Sequence, residues 1–402
     1  MKKLFISLVI CCLSVSVVMA QKGKNGILFR EAPLEEVFQA ARKAGKPVFV
    51  EIYSPTCHVC QSFVPTLNDS RVVDFYNARF ISTKQDITQK ATQAFLGSRK
   101  MYVPQLPLFL YFDAQGNLLH MAMSSNTANE VIRHGTNALN PGQRTQGMKG
   151  RYTKGERSPA FLIDYAMYSL VTRDTVTNMK AMEEYARQVP ASDFAKYTNW
   201  LALKKLVMDS DNPLFQYFLT HQDQYKKHAQ PDELKNVAEN ILMSSLFSSR
   251  GARYSPEKIL EIRSNLAKIG IDPKVAANRT LLPEVNAFFQ TRQTAKAVAR
   301  MDSQVTNNPI TVPEFVYITK LFNRLSPDPS DAPTVIKWVN KAFALNKATP
   351  REQSDLYYEL AEAHRRAGNM AEASKAAQKS MELAQANKLD VRRNVELMQK
   401  LK

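Results

Sequence analysis

The chain has 402 residues, 44% of them hydrophobic and 9% aromatic, with a formal net charge of +17 at pH 7. That composition excludes an intrinsically disordered chain, and the length predicts two or three domains. The basic excess is that of a solvated surface, or of one that attracts anionic lipid, glycan or acidic protein; no basic run interleaved with aromatics marks a nucleic-acid face, so no nucleic acid is expected as a partner.

Residues 1–20 have the pattern of a secretory signal. Lys2 and Lys3 open it, Leu4 to Val18 form the apolar stretch, and Val18-Met19-Ala20 is a small-residue cleavage site before Gln21. An uncleaved anchor is the alternative, but the apolar run is shorter than the roughly 20 residues a span needs. Lipidation at Cys11 or Cys12 is a second alternative, disfavoured because Ile10 and Cys11 precede them. The expected location is therefore periplasmic or secreted, an oxidising compartment. Without Lys2 and Lys3 the charge is still about +15.

Residues 21–140 are expected to form an α/β domain. Leu34, Val37, Phe38, Ala41 and Ala44 have helical spacing, and Gly45-Lys46-Pro47 stops that helix. Val48 to Tyr53 predicts a buried strand, Cys57 to Leu67 a helix, Arg79 to Ile87 a strand, and Thr88 to Leu96 a helix. Leu108 to Phe112 and Leu118 to Met123 predict a hairpin around the turn Asp113-Ala114-Gln115-Gly116-Asn117, and Thr127 to Leu139 a closing helix. Residues 141–157, with glycines and five basic residues, read as an exposed basic linker. From Ser158 onward the pattern is helical throughout. Pro190, Pro213, Pro231, Pro256, Pro283, Pro313, Pro333 and Pro350 fall near expected helix starts, where the missing amide costs nothing. Residues 158–330 predict a helical repeat region, and 331–402 a sharper repeat pattern.

Chemistry concentrates at Cys57-His58-Val59-Cys60. The other cysteines, Cys11 and Cys12, lie in the signal, so the mature chain of about 380 residues has two thiols and no other partner for them. A three-residue offset at a helix start puts both sulfurs at one end, and free amides there favour thiolate. Cys57 is then the nucleophile and Cys60 the resolving thiol, with His58 adding positive charge beside Cys57 and making the disulfide more oxidising. An inert structural disulfide is the rival. Half a zinc site lacks two further ligands, since His120, His134, His221, His228 and His364 show no ligand spacing, and covalent haem would need His where Gln61 stands. No metal or cofactor is expected.

The region 27–140 resembles a thioredoxin domain, of the exported kind common in Bacteroidetes-type proteins. The resemblance rests on the Cys57–Cys60 motif, on Pro65 five residues after Cys60, on Glu51 six residues before Cys57, and on Leu106-Pro107 with the strand and turn Leu108 to Gly116. It implies that Pro65 kinks the active-site helix, that Glu51 is a buried acid taking a proton from the resolving thiol, and that Leu106-Pro107 is a cis-proline lining the substrate groove. Three positions depart from the family: Thr56 replaces its usual Trp, His58-Val59 its Gly-Pro, and Glu51 its Asp. They leave redox potential and client choice open. Tyr357, Leu360, Ala361, Gly368, Ala373 and Ala377 resemble a tetratricopeptide repeat, which implies a helical solenoid.

The expected function is an exported thiol–disulfide oxidoreductase. Its partners would be client proteins with thiols or disulfides, a redox donor or acceptor protein, and a protein held on the helical repeats. The alternative is a non-catalytic envelope scaffold or adaptor acting through those repeats.

Overall fold

The computed structural model describes residues 26–401; the signal-peptide reading of residues 1–20, with Cys11 and Cys12, lies outside them. The chain divides into two compact units. The first runs to Arg157 and takes in Val171–Arg173; the second holds Ser158–Leu170 and everything from Asp174 onward. Among the described residues no helix is long and apolar enough to cross a membrane.

The first unit is built on a four-stranded sheet in the order β2-β1-β3-β4, with β1 Val48–Tyr53, β2 Ile81–Asp86, β3 Leu108–Phe112 and β4 Leu118–Ala122. β1 and β2 are parallel, so a crossover must join them. It consists of α2 His58–Ser62, α3 Val64–Leu67 and α4 Ser70–Arg79. β3 runs antiparallel to both β1 and β4. The β3–β4 turn is held by Asp113, whose carboxylate accepts the Gln115 and Asn117 amides at 2.9 and 2.8 Å, and by Gly116 at φ +90°.

Every residue of β3, and every residue of β1 except Tyr53, is buried, because helices cover both faces of the sheet. On one face, α1 Leu34–Ala44 and α5 Lys90–Ser98 bring Phe38 and Phe95 against Phe112 at 5.8 and 5.7 Å. On the other, Phe49, Phe109 and Tyr111 pack with Phe63 and Leu67 of the crossover, with Tyr76 of α4, and with Val131 of α6 Ala128–Leu139. The helix that carries the cysteines therefore lies over the face of β1 that bears Phe49 and Glu51.

Residues 141–157 correct the sequence reading. Most of the segment is exposed, as a linker would be, but it belongs to the first unit and Thr145 covers the edge of β4. Thr145–Gly147 forms a 3-10 turn and Met148–Thr153 a short helix, α7, with Thr145 and Met148 buried. The Thr145 hydroxyl accepts the Met121 amide at 3.1 Å, and the Thr145 amide donates to His120 Nδ1 at 3.2 Å. An edge strand leaves outward amides without partners, and Thr145 satisfies one of them. Glycine and basic residues suggested a linker because this anchoring is long-range and leaves no local signature.

From Thr175 to Lys400 the described residues form only helices and turns. Pro213, Pro231, Pro256, Pro313, Pro333 and Pro350 occupy first-turn positions. Pro283 does not. It lies inside the helix Pro273–Gln290, which starts earlier because the Asp272 carboxylate accepts the Lys274 and Val275 amides. Pro190 caps only a 3-10 turn. Near the C-terminus, Pro350–Arg366 and Met370–Ala386 pair across buried alanines, with Gly368 at φ +79° between them. A reciprocal cap opens the first of these helices: Glu352 accepts the Thr349 amide at 2.7 Å, and Thr349 accepts the Glu352 amide at 3.3 Å.

Candidate active site

The chain leaves β1 at Tyr53 and turns into α2, with the Cys57 amide donating to Ser54 O at 3.1 Å. Cys57 is the N-cap of α2. Its backbone is extended (φ −83°, ψ 104°), and its sulfur accepts the Cys60 amide at 3.1 Å. One helical turn brings Cys60 to the same end, with the Cα atoms 5.2 Å apart and the two sulfurs joined as a disulfide. Cys57 is half-buried, whereas Cys60 is 5% exposed. The two sulfurs are thus chemically unequal. One meets solvent and a backbone donor, which favours thiolate; the other is enclosed, which favours thiol. His58 and Val59 are exposed beside the pair.

Pro65 stands at the break between α2 and α3. It has no amide to donate back to Gln61, and the helix interrupts at Phe63. Asn126, in the loop before α6, bridges this break. Its Nδ2 donates to Ser62 O at 2.8 Å and lies 3.2 Å from Ser62 Oγ, while its Oδ1 accepts the Thr66 hydroxyl at 2.7 Å. Asn126 was not singled out from sequence, and nothing local in a polar loop marks it.

Glu51 is 1% exposed in the middle of β1. Burial raises its carboxyl above the ordinary range, and Lys84 partly opposes that rise. The Lys84 ammonium lies 2.9 Å from Oε2 as an ion pair, and among the described residues no other group bonds to Oε2. The parallel register sets this pair, since Glu51 lies directly beside Lys84 across β1 and β2. Lys84, too, was missed. The available signal was a lone lysine at the fourth place of β2, opposite the fourth place of β1. Across the other neighbour, Glu51 faces Phe109, whose ring packs 5.7 Å from Phe63, three residues beyond Cys60. Glu51 therefore lies on the sheet face that the cysteine helix covers.

The Leu106-Pro107 peptide is cis, and Pro107 is buried. Leu108 pairs with Ile52, so Pro107 reaches the level of Tyr53, at the sheet end where the cysteine turn begins. Cys57, Cys60 and Pro107 are thus gathered at one end of the sheet, with Glu51 two residues back from that end of β1 on the face the cysteine helix covers, while His58 and Pro65 belong to the outer side and the break of the same helix.

Fold and site together define a thioredoxin-like class of domain carrying a disulfide-forming cysteine pair. A thioredoxin-like family model matches residues 31–114, which span α1, the cysteine pair, Glu51, Lys84 and β3. No curated protein matches the chain.

Proposed function

We propose that the chain is an exported thiol–disulfide oxidoreductase acting on client proteins in an oxidising compartment. The observation that carries this reading is the inequality of the two sulfurs, one half-buried at a helix cap and one enclosed, on a helix that covers the sheet face bearing the buried Glu51. In the reducing direction the Cys57 thiolate attacks a client disulfide. A Cys57–client bond forms, and one client sulfur leaves as thiolate. Cys60 then gives its proton to Glu51, and its thiolate attacks the Cys57 sulfur. The second client thiolate leaves, and the Cys57–Cys60 disulfide holds the two electrons' worth of oxidation taken from the client. A donor protein restores the dithiol; in the oxidising direction the steps reverse. His58 contributes positive charge beside Cys57 when protonated, and the cis Leu106-Pro107 segment forms the wall of the client groove. Export is supported by the signal pattern and by the absence of other cysteines after residue 20. The helical region from residue 158 is proposed to hold a protein partner.

Dithiol-dependent reduction of insulin by the full chain tests the reading. Activity in the wild type that is lost in Cys57→Ser is the expected result. A wild type inactive across pH 5 to 9 would leave the scaffold reading in its place.

A further inference from the structure

The segment before α1 crosses the outer edge of β2 as a strap. Phe29 bridges to Ser82, the Arg30 amide donates to Ser82 O at 2.8 Å, and the Thr83 hydroxyl donates to Arg30 O at 2.9 Å. The Leu28 amide donates to Asn77 Oδ1 at 2.9 Å. The strap thereby lays the Phe29 ring beside the ion pair under the cysteine helix. The Lys84 ammonium is 4.7 Å from the Phe29 ring centroid and 5.7 Å from that of Tyr53. Phe29 is itself anchored on Phe49 of the core, ring to ring at 6.2 Å.

A lysine has a flexible stem and a strongly hydrated head, and it needs a reason to stay at one carboxylate. Lys84 is 29% exposed, and it lines a cavity of about 470 Å3 between the strap and the kinked helix. Water is the competing environment for its head. Two aromatic faces and one carboxylate oppose that competition, since ring faces attract a cation within about 6 Å.

We infer that Phe29 is a positioning residue for the redox reaction: with Tyr53 it forms an aromatic clamp that holds the Lys84 ammonium on Glu51, and so sets how readily Glu51 takes the proton of Cys60. This rests on the thiol–disulfide reading above and adds to it a residue outside the cysteine helix. The titratable groups around Glu51 are Lys84 from β2 and the neutral Tyr53 phenol on its own strand, with Asp86 of β2 and Glu31 of the strap acting on Tyr53. Phe29 brings no charge of its own; its effect works only through where Lys84 sits.

The test uses the full chain with Phe29→Leu, which keeps apolar bulk and removes the ring, and Phe29→Tyr, which restores a ring. The Glu51 carboxyl is followed by carbon-13 NMR across pH, its signal assigned with Glu51→Gln. In Phe29→Leu the Glu51 titration midpoint is expected to move up by roughly half a pH unit, in line with a cation–ring contact of modest strength, and the pH profile of insulin reduction should move with it. Phe29→Tyr should restore both. In a Lys84→Met background, Phe29→Leu should add nothing. An unchanged Glu51 midpoint in a folded Phe29→Leu protein overturns the inference, as does an equal shift with and without Lys84. Wild-type protein lacking insulin reduction would instead sink the parent reading, whatever the Glu51 titration shows.

Discussion

Three residues carry most of the proposed chemistry, and their surroundings make separate demands on each. Cys57 is half-buried at a helix cap, and Cys60 is enclosed. Brief iodoacetamide treatment of the reduced protein should therefore label Cys57 first, read by peptide mass mapping; faster labelling of Cys60 would reverse the assigned roles. Glu51 is a buried acid with a raised proton affinity. Over a window above 4.5 the native state keeps a proton that the unfolded chain has lost, so this group makes stability fall as pH rises through that window. Glu51→Gln should remove that decline, gaining on the wild type in denaturant unfolding as pH rises above about 4.5, while slowing mixed-disulfide resolution by roughly 10²-fold or more. The cysteine spacing and the acid inside an apolar strand are both visible in sequence, because each depends on a few neighbouring positions. Lys84 is not. Its place beside Glu51 comes from the pairing of two strands thirty-odd residues apart, and its clamp comes from Phe29, further away still.

Among elements, the broken helix and the β4–α6 junction are the most informative. Pro65 made the break readable, but the group that stabilises it, Asn126, is some sixty residues away. Asn126→Ala removes the contacts to Ser62 O and Thr66, and should cost about 1–2 kcal/mol in denaturant unfolding. It should also speed amide exchange in α2 and α3. No change in either would mean the bridge is ornamental. At the second junction, His120 of β4 and His134 of α6 are buried with ring centroids 5.9 Å apart. Burial lowers His120 to about 3 and His134 to about 4, from an ordinary 6.5, with neighbouring positive charge adding to the effect. Both stay neutral in the native state. Below about 6.5 the unfolded chain binds protons that the fold refuses, so stability is fully present above that pH and falls as pH drops toward 4. With both histidines the slope reaches up to about 2.7 kcal/mol per pH unit. His134→Phe should flatten it by about 1 kcal/mol per pH unit between pH 6 and 4.5. An unchanged slope would show that His134 is protonated in the native state.

For the whole molecule, the division into an α/β unit and a helical one was readable from periodicity alone, because strands and helices space their apolar residues differently. Where the first unit ends was not. Thr145 and Met148 belong to it, so a fragment of residues 26–157 contains every residue named at the cysteine site and the cover of β4. That fragment should fold alone and reduce insulin at about the full-chain rate. A fragment ending at residue 140 should be less stable by about 1–3 kcal/mol, having lost the partner of the Met121 amide. Equal stability of the two would return 141–157 to the status of a linker. Inside the helical unit, most prolines announced helix starts, but Pro283 did not, because a carboxylate eleven residues upstream captured the amides first. Competition between two start signals has no local resolution.

The sulfur of Cys57 caps its own helix by accepting the Cys60 amide. A closed thermodynamic cycle follows from that single contact. Whatever free energy the fold gives the anionic sulfur over the neutral one, the anionic sulfur returns to the fold. The departure of the pair's reduction potential from that of an unconstrained dithiol must therefore equal the difference in folding free energy between reduced and oxidised protein, at 1.4 kcal/mol for each 30 mV. Calorimetry of the two forms thus reports the potential without an electrode, and any substitution that moves one quantity must move the other by the same amount.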